Sequence, residues 1–348
     1  MTSLLIGVSL IFVSSLTGGV FAFPLRVRRR YGVEHMWCLA FFIGYIVLPH
    51  VAVQVACPRW ASAIAEEPDV AVVAVLFGLG WGLATVCFAH GISRVGVSLG
   101  YAIIMGLATA GGALIPLARR WSGLSASAAA TVLIGIALCV AGVAVCGHAG
   151  ILRERGTSPS ARLAGARGIL FGLLLCVLSG LLSACANLGF EFAEPLAATL
   201  VAREENALAA SIVRWLPVYW GGFATVLIYS SIPMSSGRSW HLYVGPGAAR
   251  DLALALLMGL LLSLTQIPYG MGAGFLGRLG TSVGWAINIT ASLLVANMLG
   301  VVLGEWRQAG RAAKLWLVRG LVVIVVAMGV LAVGNALAAS PAVGPSVN

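Results

Sequence analysis

Long apolar stretches alternate with short polar ones along almost the whole chain. A bilayer hydrocarbon core is about 30 Å thick, and a helix needs roughly 20 apolar residues to cross it. Ten stretches approach or exceed that length, and the residues between them are too few for a separate soluble domain. We therefore predict an all-α integral membrane protein. The predicted spans cover residues 4–25, 36–57, 70–92, 97–118, 125–147, 168–190, 207–232, 250–273, 281–304 and 315–338.

One phrase occurs twice in this pattern. The sequence RVGVSLGYAI at residues 94–103 returns as RLGTSVGWAI at residues 278–287, with Tyr101 replaced by Trp285. The copies open the fourth and the ninth predicted spans. Because five spans separate them, the second copy enters the membrane from the opposite side, which is typical of an inverted-topology repeat.

A second match supports the same pairing of spans. FAFPL at residues 21–25 ends the first span, and FAEPL at residues 192–196 ends the sixth. We therefore expect two inverted five-helix halves, residues 1–150 and 168–348, joined by a basic linker at 151–167. The second half then ends in a short polar tail. Such halves usually form a substrate site between them, near the middle of the membrane.

Glycines repeat in the same register. Gly96 and Gly100 recur as Gly280 and Gly284, so a G-x-x-x-G motif stands at matching places in spans 4 and 9. Small residues at this spacing let two helices approach closely. The motif is common by chance in a chain with 44 glycines, so only its repetition supports equivalent packing of the two spans.

Composition and charge agree with a membrane protein. The chain is 60% hydrophobic and 9% charged, against about 25% charged in soluble domains. Its net charge of +10 comes from basic residues in short connections, where they set topology, so nucleic acid is not an expected partner. Fifteen of these residues fall on one set of alternate connections and six on the other. The positive-inside rule places the fifteen in the cytoplasm and both chain termini outside.

Polar and aromatic residues share helix faces inside several spans. Ser282, Trp285 and Asn288 fall on one face of span 9, and we expect Tyr101 to reach the same place from span 4. A ring flanked by hydroxyl and amide groups suits a neutral sugar, because sugar C–H faces stack on rings while hydroxyls need hydrogen bonds. Packing between helices would explain each residue taken alone. The predicted substrate-binding residues are Trp81, Tyr101, Gln266, Tyr269, Ser282, Trp285 and Asn288.

Ionisable residues inside spans are costly and often functional, so a proton carrier is expected among them. Asn187, one helical turn before Glu191, is placed to hydrogen-bond its carboxylate. Structural roles stay open: a solvated loop edge beside Pro195 for Glu191, ion pairing with nearby arginines for Glu34, and packing for the histidines. The candidates for proton coupling are Glu34, Glu191, His50 and His90.

Three stretches resemble the L-rhamnose–proton symporter family. FAFPLRVRRRYGVEHMW at 21–37 is similar to the end of that family's first span and the start of its second. LFGLGWGLATVCFAHGISRVGVSLG at 76–100 resembles its third and fourth spans, including an F-G-x-x-W-G element, and GEWRQAGR at 304–311 resembles its E-W-x-x-A-G loop. In span 8 only Gln266 matches the family, with Pro268 and glycines where the family has bulky rings.

This resemblance covers nearly the whole chain. It implies the fold of the drug/metabolite transporter superfamily, with ten helices in two inverted halves. It also implies proton-coupled uptake of a deoxyhexose. We accordingly expect a bacterial inner-membrane symporter whose partners are a small neutral sugar, protons and the lipid bilayer, with no obligate protein partner.

Other classes of protein fit less well. The chain has no P-loop and no H-E-x-x-H, and Asp69 and Asp251 are its only aspartates, so an intramembrane enzyme is disfavoured. Its seven cysteines form no C-x-x-C pair, which predicts neither a metal site nor a cofactor. A permease or exporter for another small metabolite remains the alternative, while inverted symmetry disfavours a passive scaffold.

Overall fold

The computed structural model describes residues 2–155 and 166–339. Most of the predicted linker at 151–167 and the polar tail after 339 lie outside these residues. Within them, ten helical segments are long and apolar enough to cross a membrane, which confirms the predicted spans. Spans 1 to 10 are Leu5–Val27, Val33–Ala56, Pro68–Val95, Val97–Arg119, Ala126–Glu154, Gly168–Val201, Ala207–Ser236, Ala248–Phe275, Gly277–Val302 and Arg311–Ala339.

The ten spans define two membrane faces. We call the face that holds connections 1–2, 3–4, 5–6, 7–8 and 9–10 the basic face, and the face that holds both chain ends the terminal face. At the basic face, the buried carboxylate of Asp251 accepts hydrogen bonds from the backbone N–H groups of Arg29, Arg30 and Tyr31. This carboxylate fixes the turn between spans 1 and 2 to the start of span 8.

The two proline phrases adopt the same local structure. In span 1, helix Thr2–Val20 ends, a turn follows, and Pro24–Val27 forms a new short helix. In span 6, Cys185–Phe192 ends in the same way and Glu194–Val201 begins with a proline in its first two positions. Proline is tolerated there because the first N–H groups of a helix have no partner within it. The new helix carries span 6 to Val201, beyond the predicted end at 190.

Span 2 contains a wider turn at its middle. Phe42–Val47 is π-helical and joins the α-helices Val33–Phe41 and Leu48–Ala56. Pro49 has no N–H to donate four residues back, which favours a local change of helical pitch. The Gly44 carbonyl, five residues before Pro49, accepts a hydrogen bond of 2.6 Å from the Ser263 hydroxyl on span 8.

Most helix contacts come in matched pairs. Span 3 packs on spans 6 and 7, and span 8 packs on spans 1 and 2. Span 4 packs on span 6, and span 9 correspondingly packs on span 1. Three further contacts join a span to its own counterpart: span 2 to span 7, span 4 to span 9, and span 5 to span 10. Each relation maps onto another, or onto itself, when the first five spans are exchanged for the last five.

The glycines of the two repeated phrases behave alike at one position and differently at the other. A methyl group added at Gly100 would meet spans 3 and 6, and one added at Gly284 would meet spans 8 and 1. Those are matching neighbours. Gly96 instead has a positive φ of 91°, whereas Gly280 has an ordinary helical φ of −56°. The positive φ of that connection falls at Gly277.

The F-G-x-x-W-G element brings span 3 against span 7. A methyl group added at Gly78 would lie 2.1 Å from the Val218 carbonyl oxygen, and one added at Gly82 would lie 2.5 Å from Thr225. Such distances are too short for any side chain, so both glycines are needed for this approach. The approach places Trp81, between the two glycines, against the aromatic residues of spans 2 and 7.

Candidate transport pathway

A cavity of about 420 Å³ enters the protein from the basic face. Its walls come from spans 1, 3, 4, 5 and 9. At its rim, Arg26 and Arg153 each form an ion pair with Glu305. On span 9 the lining extends from Leu303 to Leu293. At 1.5 Å per residue this is about 15 Å, so the cavity ends near the middle of the membrane.

The terminal face is closed by a group of charged residues. Arg120 donates to Glu191 from Nε at 3.0 Å and from a terminal nitrogen at 2.7 Å, and it also reaches Glu194 at 2.9 Å. Arg278 donates to the carbonyl oxygens of Arg120, Ser122 and Gly123. We call Arg120, Glu191, Glu194 and Arg278 the polar seal. It ties connection 4–5 to spans 6 and 9.

The two carboxylates of the polar seal have different surroundings. The Glu191 side chain is 2% exposed, whereas that of Glu194 is 56% exposed. One Glu191 oxygen has no hydrogen-bond partner among the described residues. Burial alone would lower the pKa of Arg120, but its bonds to Glu191 and Glu194 raise that pKa above its usual value, so Arg120 stays charged.

Beneath the polar seal, buried hydrogen bonds lock four spans together. Asn187 donates to the carbonyl oxygens of Gly112 at 2.7 Å and Thr281 at 2.9 Å, and accepts from the Tyr269 hydroxyl. The Asn187 amide therefore binds groups on spans 4, 8 and 9. The sequence had suggested instead that it would hydrogen-bond the Glu191 carboxylate. Ser282 donates to the Ala113 carbonyl at 2.8 Å.

Trp285 occupies a slot in span 4. Its Nε1 donates to the Ala108 carbonyl at 2.9 Å, and a methyl group added at Gly112 would lie 2.2 Å from the same nitrogen. Ala108 lies seven residues beyond Tyr101, which is about 10 Å along the helix. Tyr101 lines the cavity instead. The two related aromatics therefore do not meet, because inversion of the phrase places them toward opposite faces.

The seven predicted substrate-binding residues do not all lie together in the structure. Tyr269, Ser282 and Trp285 lie together beneath the polar seal, and Tyr101 lines the cavity. Asn288 accepts hydrogen bonds from Ser14 at 2.7 Å and Ser15 at 3.2 Å, between the other two places. The remaining two are Gln266, which is buried on span 8, and Trp81, whose ring centroid is 5.1 Å from that of Tyr45.

The four proton-coupling candidates differ in their partners. His50 Nδ1 lies 2.6 Å from the Ile46 carbonyl oxygen, and its Nε2 accepts a hydrogen bond from Trp220 at 3.0 Å, so both ring nitrogens have partners. His90 is exposed beside the Tyr229 hydroxyl. Glu34 lies 3.1 Å from the buried His35 at the basic face, with its side chain 30% exposed. Of the four, only Glu191 is buried in an ion pair with an arginine from elsewhere in the chain, Arg120 in the connection after span 4.

The sequence analysis missed a stack of three rings where spans 2 and 7 meet. The ring centroids of Tyr45 and Tyr219 are 4.7 Å apart and nearly parallel, and those of Tyr219 and Trp215 are 5.4 Å apart. Phe190 and Tyr269 contact Trp215 on its other side. The spacing of Trp215 and Tyr219, four residues apart on one helix face, was the available signal.

Comparison with known proteins identifies one family. The model of the family described as L-rhamnose-proton symport protein matches residues 1–338. The L-rhamnose-proton symporter of Pectobacterium carotovorum is 25% identical over 346 residues, covering 96% of this chain and 98% of that protein. Those of Cronobacter sakazakii and Escherichia coli K12 are 25% and 24% identical, each over 93% of this chain and 96% of the relative.

Proposed function

We propose that this chain, which belongs to the L-rhamnose-proton symport protein family, carries L-rhamnose together with protons across the bacterial inner membrane. It is a secondary transporter and not an enzyme. The observation that carries this function is a cavity open at one face while the polar seal closes the other. A carrier that works by alternating access must adopt this arrangement as one of its end states.

The two end states are proposed to arise from exchange between two inverted halves, residues 1–150 and 168–348, tethered at 151–167. Three observations support this repeat: the paired helix contacts, the shared proline breaks, and the matching neighbours of Gly100 and Gly284. In the opposite state, the cavity would open at the terminal face, and the basic face would close.

The basic face is proposed to be cytoplasmic, with both termini on the outer side. The excess of Lys and Arg in its connections supports this orientation. The conformation described here is then inward-facing. Rhamnose released from the middle of the membrane would leave past Tyr101, and rhamnose entering from outside would first meet Trp285 after the polar seal opens.

The predicted substrate-binding residues therefore divide by state. We propose that Tyr269, Ser282 and Trp285 contact the sugar when the terminal face is open and that Tyr101 contacts it when the basic face is open. Asn288 lies between these places, and it is proposed with Trp81 and Gln266 to serve both states. Their mixture of rings, hydroxyls and amides supports recognition of a neutral sugar.

Glu191 is the proposed proton carrier. Arg120 neutralises its carboxylate while the terminal face is closed. Opening that face would withdraw Arg120, and a carboxylate that loses its counter-ion takes up a proton more readily. Closing would return Arg120 and displace the proton, which in symport leaves through the cavity at the basic face. Proton binding is thereby linked to the side from which sugar enters.

Reconstitution of the purified chain alone into proteoliposomes tests this function without a protein partner. We expect labelled L-rhamnose to accumulate under an imposed inward proton gradient, and a protonophore to abolish the accumulation. Rhamnose flux that ignores the gradient would instead indicate a permease. Absence of any rhamnose flux, in protein that is folded and inserted, would reject rhamnose as the substrate.

A further inference from the structure

The stack of Tyr45, Tyr219 and Trp215 stands near the middle of the membrane, where the two proposed halves meet. Tyr45 lies close to the midpoint of span 2, and Tyr219 close to that of span 7. The planes of Tyr45 and Tyr219 differ by 3°, and those of Tyr219 and Trp215 by 9°. Trp81 closes one side of Tyr45. Together the rings form a continuous, buried aromatic column.

Two polar atoms in this column have no hydrogen-bond partner among the described residues. They are Nε1 of Trp215 and the hydroxyl oxygen of Tyr219, and both side chains are 0% exposed. Buried donors without acceptors are costly and rare in folded proteins. Two of them on neighbouring rings of one stack indicate that another molecule supplies the acceptors in a different step of the transport cycle.

The surrounding backbone is adapted to this stack. Tyr45 lies in the π-helical turn Phe42–Val47, and such turns are frequent at functional sites. The Trp215 Nε1 edge faces Gly270 on span 8, where an added methyl group would lie only 2.6 Å from that nitrogen. The glycine therefore provides the space beside the unpartnered donor.

One residue links the cavity to the cluster that holds the stack. Phe21 lines the cavity and packs against the apolar cluster that contains Tyr45, Trp215 and Tyr219. The stack itself does not line the cavity in this state. Binding of the sugar to the stack therefore belongs to a different step of the transport cycle.

We propose that Tyr45, Trp215 and Tyr219 form the central sugar-binding platform of this transporter, an inference that rests on the proposed function and assigns its binding site. The C–H face and methyl group of a deoxyhexose pack against this aromatic column. Its hydroxyl oxygens accept hydrogen bonds from Trp215 Nε1 and the Tyr219 hydroxyl. The three platform side chains are uncharged, which suits a neutral sugar.

Two variants of the purified full-length protein test this platform. Trp215→Phe and Tyr219→Phe each keep a ring and remove one unpartnered donor. Without sugar, the melting temperature should stay the same or rise, because no internal hydrogen bond is lost. The dissociation constant for L-rhamnose, measured by calorimetric titration, should increase about three- to tenfold in each variant, as expected for one neutral hydrogen bond.

Trp240→Phe is the matched control, because Trp240 is exposed and its Nε1 donates to Ser235. Its affinity for L-rhamnose should equal that of the wild type. The platform is overturned if the wild type binds L-rhamnose and both test variants bind it equally well. It is also overturned if both variants melt well below the wild type without sugar, because the donors would then serve the fold. A wild type that binds no L-rhamnose would reject the proposed function itself, and the platform with it.

Discussion

At the scale of single residues, burial separates side chains that look equivalent in the sequence. Glu191 and Glu194 stand three positions apart and share Arg120, yet the first is enclosed and the second faces solvent. A carboxylate that loses its ionic partner in a buried site takes up a proton more readily than a solvated one. Glu191 is buried and paired in this state, as the proposed proton carrier requires, and the exposed Glu194 is its internal control.

Glu191→Gln should uncouple transport. The amide cannot titrate, so we expect proton-driven accumulation of L-rhamnose to fall at least tenfold, on the scale seen when an essential proton-transfer group is removed. Exchange of rhamnose for rhamnose across a membrane without a gradient should persist. Both are measured in proteoliposomes. Glu194→Gln should retain accumulation, and equal losses in the two variants would assign them a shared structural role.

His50→Gln should leave the pH dependence of rhamnose uptake unchanged. Trp220 donates to His50 Nε2, and a glutamine can still accept that hydrogen bond. The measurement is initial uptake from pH 5.5 to 8, roughly the range over which a histidine titrates. A displaced profile in His50→Gln would make this histidine the coupling group in place of Glu191.

The sequence could predict a site residue only where a repeat or a helix-face pattern marked that residue. The repeated phrase singled out Tyr101 and Trp285, but the sequence alone did not show that inversion separates them. The contact between Tyr45 and Tyr219 gave no signal, because Tyr45 lies in the π-helical turn of span 2 and the two residues belong to different spans. A local departure in helical pitch rotates every later side chain, and hydropathy does not record it.

At the scale of whole helices, the length of the apolar stretches predicted all ten spans. In lipid a single segment must satisfy its own backbone hydrogen bonds, and an α-helix does so. It did not predict where spans break. New helices begin at Pro24 and beside Pro195, whereas a π-helical turn precedes Pro49 within span 2. Proline in the sequence does not say which of these outcomes occurs. Contacts with neighbouring helices decide among these outcomes.

Gly78→Ala should separate spans 3 and 7. Its methyl group would lie 2.1 Å from a backbone carbonyl that cannot rotate away, so we expect a loss of about 1–3 kcal/mol in stability. The measurement is the midpoint of thermal unfolding in detergent. Gly329→Ala on span 10 is the control, because its methyl group would meet nothing within 4 Å. It should be neutral or slightly stabilising, and similar losses in both variants would exclude close packing as the cause.

At the scale of the whole molecule, the cavity predicts which positions water reaches. Asn297 lines the cavity, while Asn288 on the same span is 2% exposed. In a background without the seven native cysteines, Asn297→Cys should react with a membrane-impermeant maleimide in inside-out vesicles, and Asn288→Cys should not. Labelling of Asn297→Cys only in right-side-out vesicles would reverse the proposed orientation.

The exchange of tyrosine for tryptophan in the duplicated phrase has a consequence for the resting carrier. If the two proposed halves were identical, both end states would be equal in free energy, and an empty carrier would divide its time evenly between them. Trp285 makes the proposed halves unequal, because its indole nitrogen donates to span 4 in the state described here, while the corresponding Tyr101 lines the open cavity. We therefore expect Trp285 to favour, in the empty carrier, the state whose terminal face is closed.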